Sequence, residues 1–472
     1  MRVWVGLVIA AVGLGGMIAA HGGRRQPGES APWARGMIVI DPPVAEKGKA
    51  DAAQLASVVP SPGRLVEGRV RFLAPTALAR VLIDGARQQS LSGWKALEAL
   101  LSPKLYELAP DALGLSAANL RSGRLPEPGR DEVLAGPGLP EDSDVIEVEG
   151  RKLEVVGRLA PDLRLLDRGY LIPPSDATLG LFREPAARGP VHRAEIVSLA
   201  RSQLDDSKLI ERLDARYPPS STTRVSPVER LDRGTFLAYL GSQALLVLGG
   251  SGALLALYRA LARRPLPGWL RAPFEEIDRR PRWFWAVHLL YFGLFFVGTL
   301  FIYELPDIQT MLTTAVRQQL QPDGGGVLAV AGKAYGSRNI AYAAGVTFLV
   351  NYFLGTLAQI TVPSLLLPGI GAMMGVVRPI LWGVLLGPIF ESNAGGMIPH
   401  SITLLLEGEG YVLAFAFGLL VPYYLVNPQL GPTLLSRLRQ VVLLNVKASA
   451  LVAIVLAVAA IYEAIEIIAM MG

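Results

Sequence analysis

The chain has 472 residues, 45 Lys plus Arg against 40 Asp plus Glu, 51% hydrophobic residues and no cysteine. That length admits more than one domain, and the missing thiols exclude disulfides, thiolate nucleophiles, Cys-ligated zinc and iron–sulfur clusters. The four histidines and the small, scattered net charge of +5 leave little room for a His-built metal centre and argue against a nucleic-acid partner. The charges are unevenly placed. Residues 21–235 hold 30 basic and 29 acidic groups, whereas residues 236–472 hold 14 and 11. A nearly neutral soluble domain is therefore joined to a membrane domain.

Val3–Ala20 is an 18-residue apolar run behind a single Arg2. It reads as a signal peptide or as an anchor, and its length and weak basic start favour an uncleaved anchor over residues 1–20. Residues 21–60, rich in Pro and Gly, read as a linker. Within 61–235 the hydrophobic period changes repeatedly. Arg64–Phe72 is strand-like, and Leu91–Leu108 carries Trp94, Leu97, Leu100, Leu101 and Leu105 at helical spacing. Val145–Leu159 reads as a hairpin turning at Glu149-Gly150-Arg151. Tyr170–Pro173 and Ala194–Ala200 read as strands, and Ser207–Ala215 as a helix behind a Ser cap. The fold class expected here is α+β.

Phe236–Leu257 gives 22 residues, about 33 Å at the helical rise, enough to cross a bilayer. This span is taken as 236–258. The loop 259–282 follows, with Arg259, Arg263, Arg264, Arg271, Arg279, Arg280 and Arg282 against Glu275, Glu276 and Asp278. Such an excess of arginine marks a cytoplasmic loop and puts residues 21–235 outside. Trp283–Tyr303 then runs outward with aromatics at both ends. Residues 304–339 form an outer segment with a turn at Pro322–Gly326. Ile340–Ile360 runs inward, Pro363 and Pro368 punctuate an inner turn, Gly369–Phe390 runs outward, Ser401–Val426 inward and Val441–Met470 outward. Arg437 and Arg439 fall on the cytoplasmic side. The expectation is a multidomain membrane protein: an α+β extracytoplasmic domain between two transmembrane helices, then an all-α five-helix membrane bundle over 283–472.

A charge at mid-membrane costs on the order of 3 kcal/mol on insertion scales. Asn351, Arg378, His400, Glu407, Glu409, Glu463 and Glu466 are therefore the candidate intramembrane polar residues. His400 and Glu407 are seven apart and share a helix face, Glu409 points to the opposite one, and Glu463 and Glu466 share a face. One reading makes them interhelical hydrogen bonds and interfacial anchors; another makes them a polar cavity for transport or lipid contact. A His–Glu pair offers too few ligands for zinc, and no Ser/His/Asp set is found, so no catalytic residue, metal or cofactor is expected.

Leu120–Pro126, Asp131–Leu134, Val148–Gly157 and Tyr170–Pro173 occur in an order that resembles the periplasmic core domain of MacB/FtsX-type ABC transporter permeases, over about 110–235. The segment Tyr258–Arg282 lacks that family's charged coupling-helix pattern, and the chain has no Walker A motif. Thr347–Gly355, Pro363–Gly375, Pro399–Ala414 and Ala459–Ala464 resemble the stage II sporulation protein M (SpoIIM) family over about 283–472, with Gly355, Gly369, Gly371 and Gly375 suited to close helix approach. The two resemblances imply a non-enzymatic, multi-pass protein of the bacterial cytoplasmic (inner) membrane. It would be a permease-like subunit of an ABC-transporter-type assembly, in contact with membrane lipid, a separate ATPase subunit and other membrane subunits, with homo-oligomerisation left open. The alternative they imply is an envelope-remodelling scaffold of the SpoIIM type with no ATPase partner. An intramembrane hydrolase is a third, weaker reading.

Overall fold

The computed structural model describes residues 2–22, 35–40, 59–75, 80, 83–84, 102–141, 143–160, 166, 168–182, 191–200, 203, 206–217, 224–225, 231–320 and 326–471. The chain divides into two compact units. One joins Met1–Arg24 to Arg230–Gly472, and the other is Arg25–Glu229.

The second unit is built on one mixed sheet. Its strands are β1 (Arg35–Ile40), β2 (Arg64–Phe72), β3 (Lys104–Glu107), β4 (Leu120–Gly123), β5 (Glu132–Ala135), β6 (Val145–Val148), β7 (Arg151–Leu159), β8 (Gly169–Ile172), β9 (Val191–Leu199) and β10 (Arg224–Val225). The spatial order is β10-β1-β9-β2-β3-β8-β5-β7-β4, with β6 paired to β7. Pairings are antiparallel except β3 with β8 and β5 with β7. Successive residues alternate between two apolar clusters. Tyr106, Leu134 and Leu171 enter one, while Leu105, Val133 and Tyr170 enter the other. Both faces are thus covered here, which is why these short strands read as continuous apolar runs. The β6–β7 hairpin turns on Glu149 and Gly150, both at positive φ (56° and 77°), the geometry of a two-residue turn whose twist matches the strands.

Three expectations are corrected in this unit. Residues 21–60 are more than a linker: β1 lies between β9 and β10, with Ile196 of β9 opposite both Ile38 and Val66. Lys104–Glu107, within the stretch read as a helix, is a strand, because β2 and β8 pair with both its edges while Leu105 and Tyr106 enter apolar clusters on its two faces; Trp94, Leu97, Leu100 and Leu101 lie outside the described residues. The helix α2 (Ser207–Arg216; α1 is Val3–Gly22) is capped by Asp206, whose carboxylate accepts from Lys208 N and Leu209 N, both at 3.1 Å. Its Leu209 and Leu213 pack with Val39 and Val197.

The place of β1 has a direct consequence. A fragment 25–229 is expected to unfold cooperatively on heating, with mixed α/β circular dichroism. A fragment 61–229 exposes the apolar edge of β9 and should aggregate. Equal behaviour of the two would refute the pairing.

Glu132 contributes acid sensitivity to this unit. Arg124 grips it with two bonds of 2.7 Å, and the Glu127 N–H adds a third of 3.0 Å. These hold its carboxyl down at about 2 against an ordinary 4.5. A carboxyl depressed in the folded state contributes stability above its unfolded value and loses it as the pH falls through the folded one. Glu132→Gln should therefore flatten the decline in urea midpoint between pH 4.5 and 2. An undiminished decline would show that the pair contributes nothing.

The other unit is helical: α1, α3 (Arg233–Leu261), α4 (Gly268–Arg279), α5 (Pro281–Glu304), α6 (Pro306–Leu320), α7 (Gly326–Gly336), α8 (Ile340–Leu366), α9 (Pro368–Leu386), α10 (Met397–Val426) and α11 (Leu434–Met470). Seven of these, α1, α3, α5 and α8 to α11, are long and apolar enough to cross a membrane. Their composition is that of a multi-pass membrane protein. Asp232 caps α3 by accepting from Thr235 N at 3.0 Å. At 37 residues α11 is about 56 Å long, well beyond a hydrocarbon core of about 30 Å, a length that a bilayer accommodates by tilt or by a protruding end.

Several boundaries also change here. The loop 259–282 contains the amphipathic helix α4, and residues 304–339 fold into α6 and α7, with Pro322–Gly325 outside the described residues. Helix α8 runs on through Pro363, leaving Leu367 as the break before α9. The stretch Val350–Thr361 of α8 is wound as a π-helix. Gly355, Gly371 and Gly375 meet Tyr411, Ser364 and Phe415 closely, whereas Gly369 faces open space.

Candidate functional site

Helix α10 organises the polar residues of the helical unit. Of its apolar window 89% is buried, by α3, α5, α8, α9 and α11, yet it carries His400, Thr403, Glu407, Glu409 and Tyr411. Its sequence is apolar on every side, which is the pattern of a helix surrounded by others.

Arg378 of α9 is the hub of the first group. Its Nη2 donates to the Tyr411 hydroxyl at 2.6 Å, and its Nη1 donates to Gln359 Oε1 at 2.8 Å and to the Gly355 carbonyl at 3.3 Å. The π-helical winding of α8 presents that carbonyl. The guanidinium lies 3.8 Å from the centre of the Tyr411 ring and 5.4 Å from that of Trp382, close enough for cation–π attraction. The Tyr411 hydroxyl has one proton and two acceptors, Asn351 Oδ1 at 3.0 Å and Glu407 Oε1 at 3.3 Å. Glu407 and Asn351 therefore reach Arg378 through Tyr411.

In the second group, His400 Nδ1 lies 3.1 Å from Glu466 Oε1 on α11, and Thr403 donates to Glu466 Oε2 at 2.5 Å. Glu463, one turn away on α11, stands within electrostatic reach of His400, Glu407 and Tyr335. Its Oε2 is buried and finds no hydrogen-bond partner among the described residues, as is true of the Tyr291 hydroxyl.

The third group is separate. Glu409 points away from His400 and meets His288 of α5, with Oε2 2.8 Å from Nε2; the side chains are 0% and 1% exposed. His288 Nδ1 lies 2.7 Å from the Phe284 carbonyl. A carbonyl only accepts, so Nδ1 carries a proton. The Nε2···Oε2 contact then holds one further proton, on the imidazole or on the carboxyl, and the pair is neutral as a whole in either form.

Sequence reasoning singled out Asn351, Arg378, His400, Glu407, Glu409, Glu463 and Glu466. The structure gathers Asn351, Arg378 and Glu407 around Tyr411, brings His400 to Glu466, and sets Glu409 apart. It adds His288, Tyr411, Thr403 and Gln359. His288 carried a signal, being the one histidine inside an aromatic span; the other three are neutral residues whose role depends on which helix lies opposite.

The seven loop arginines occupy the end of α3, α4 and the start of α5. Arg259 Nε bonds Asp278 Oδ1 at 2.8 Å, Arg271 bonds Glu275 at 2.7 Å, and Glu276 takes both Arg279 at 2.9 Å and Arg280 at 2.5 Å. Arg263 stands 4.0 Å from Asp278. Arg264 and Arg282 have no acidic partner among the described residues. No three His, Asp or Glu side chains converge on a metal position among those residues.

No protein-family model matches the chain, and no curated protein matches it either.

Proposed function

We propose that the chain is a non-catalytic, permease-like subunit of an ABC-transporter-type assembly in a bacterial inner membrane. Residues 21–235 would be extracytoplasmic, and a five-helix bundle of α5 and α8 to α11 would form the core of the membrane part. ATP hydrolysis would belong to a separate polypeptide. One observation carries this reading: α10, enclosed on nearly all sides, holds Glu407 and Glu409 where charge is costly, with Glu409 on His288 of α5 and Glu407 linked through Tyr411 to Asn351 of α8 and Arg378 of α9. A helix that only anchors has no use for buried carboxylates, whereas a translocating unit does. A scaffold without an ATPase is the second reading. It is favoured by α4, whose Phe274 and Ile277 are buried in the helical core and whose three acids are spent on neighbouring arginines.

Extraction in mild detergent should co-purify an ATPase bearing a Walker A motif. Its consistent absence would leave the scaffold. Glu407 tests the membrane part. Glu407→Gln keeps an acceptor for Tyr411 and should match wild type in detergent thermostability while failing to complement a deletion strain. Glu407→Leu removes one of the two acceptors of the Tyr411 hydroxyl and leaves Asn351 as the other, so it should lower stability by about 0.5–1.5 kcal/mol, the net worth of one hydrogen bond. Full complementation by Glu407→Gln would reduce the residue to a structural role.

A further inference from the structure

The ends of three helices enclose a cleft whose chemistry differs from that of the buried groups on α10. Gly252, Leu255 and Arg259 of α3, Ile277 of α4, and Arg282 and Trp285 of α5 line a small cleft of about 80 Å³ that opens to the surface. Its depth follows from helix geometry. Arg259 and Gly252 are seven residues apart on α3, so the cleft runs about 10 Å along that helix, from a charged mouth to an apolar wall.

With α3 and α5 both long and apolar enough to cross a bilayer, the mouth, at the end of one and the start of the other, falls where a membrane surface would lie. Helix α4 is amphipathic, with Phe274 and Ile277 buried, and Trp269 in its first turn is 51% exposed. A short helix of this kind lies along the boundary between headgroups and acyl chains. There α3 ends and α5 begins, and Trp283 and Trp285 occupy the depth at which tryptophan collects in membrane proteins.

The mouth also carries unspent positive charge. Seven arginines face three acids, and each acid is already bonded. Arg259 commits its Nε to Asp278, and its two Nη nitrogens have no acceptor among the described residues. Arg282, on the opposite lip, has no acidic partner there at all. Two guanidinium groups over an apolar wall match a phosphodiester with a hydrocarbon tail. A free phosphate would use the arginines and leave the wall beneath them bare.

We propose that this cleft binds an anionic phospholipid, its phosphate held by Arg259 and Arg282 and its first acyl carbons lying along Leu255 and Gly252 beside Trp285. The proposal does not depend on the transport reading or on which side of the membrane the loop faces.

The test uses the full chain, purified in mild detergent, stripped of lipid and titrated with phosphatidylglycerol in native mass spectrometry. Each arginine near the surface of an anionic lipid contributes about 1 kcal/mol, so Arg282→Gln should weaken binding about fivefold and Arg259→Gln with Arg282→Gln about twenty-fivefold. Arg282 has no acidic partner among the described residues, so its variant should keep the wild-type fold, which circular dichroism checks. Arg271→Gln, whose guanidinium is paired with Glu275 outside the cleft, should bind as wild type does. Phosphatidylcholine should bind more weakly than phosphatidylglycerol, and inorganic phosphate should fail to displace the lipid. Undiminished binding by both cleft variants overturns the site. Displacement by inorganic phosphate would make the ligand free phosphate and overturn the lipid assignment, and equal retention of phosphatidylcholine would overturn the selection for anionic lipid.

Discussion

Glu409→Leu should lower the stability of the helical unit by about 3–5 kcal/mol, the cost of breaking a buried ion-paired contact from one side. The variant leaves His288 Nε2 with no partner in a site from which water is excluded. The Tyr258 hydroxyl, which faces Glu409 from the end of α3, loses its polar neighbour as well. His288→Leu should be at least as damaging, because it strands a carboxylate that has no other hydrogen-bond partner among the described residues. Glu409→Gln should be mild, since the amide N–H can donate to the imidazole Nε2 while Nδ1 keeps its bond to Phe284. The double variant His288→Leu with Glu409→Leu should recover much of the loss, because two apolar side chains leave nothing unsatisfied. Thermal unfolding of the four variants in one detergent gives the coupling energy directly. Additive losses would mean that the two groups do not act as a pair.

Gly249→Val is expected to free α1 from α3. The two helices touch backbone to backbone: a β-carbon on Gly6 would lie 2.6 Å from both Ala253 N and Gly249 O, and one on Gly249 would lie 2.6 Å from Gly6 O. Gly6, Ala10, Gly13 and Met17 form the buried stripe of α1, spaced four, three and four apart on one face. Between apolar helices in lipid there is no hydrophobic gain to hold them together, so contact depends on close packing of small residues. A valine cannot be absorbed by a side-chain shift, because the atoms in its way are backbone. The chain has no cysteine, so a pair introduced at Ala10 and Ala253, which flank the Gly6 and Gly249 contact on the two helices, reports on it. A short bismaleimide should cross-link that pair quickly in the otherwise native chain and at least tenfold more slowly with Gly249→Val. Unchanged cross-linking would mean that α1 is held by something other than this glycine contact.

The two halves of the chain differ in how much their sequence reveals. The apolar runs are long and the charges between them few, so the position of every apolar helix was legible within a few residues at most ends. The hairpin at Glu149 and Gly150 was equally legible, because alternation and turn chemistry are local. The strand at Lys104–Glu107 was not. Its leucines fit a helical period as well as a strand, and only the neighbours on both edges decide between them. β1 was hidden for the same reason, since six residues among Pro and Gly acquire meaning only when β9 arrives from more than 150 positions away.

The polar residues divide along the same line. An arginine, a histidine or a glutamate inside an apolar helix is conspicuous in one dimension, because desolvating it is costly wherever it points. The sequence by itself therefore determined that α9, α10 and α11 carry groups needing partners, and that an arginine-rich turn separates α3 from α5. Which partners they take was decided by tertiary structure alone. Glu407 and Glu409 stand two residues apart, yet the rotation of about 200° between them sends one towards Tyr411 and Arg378 and the other to His288. Tyr411 and Gln359 are ordinary in the sequence. They became part of the site because α8 and α9 pack against α10, and helix packing is set by side-chain shape over the whole interface rather than by any single residue.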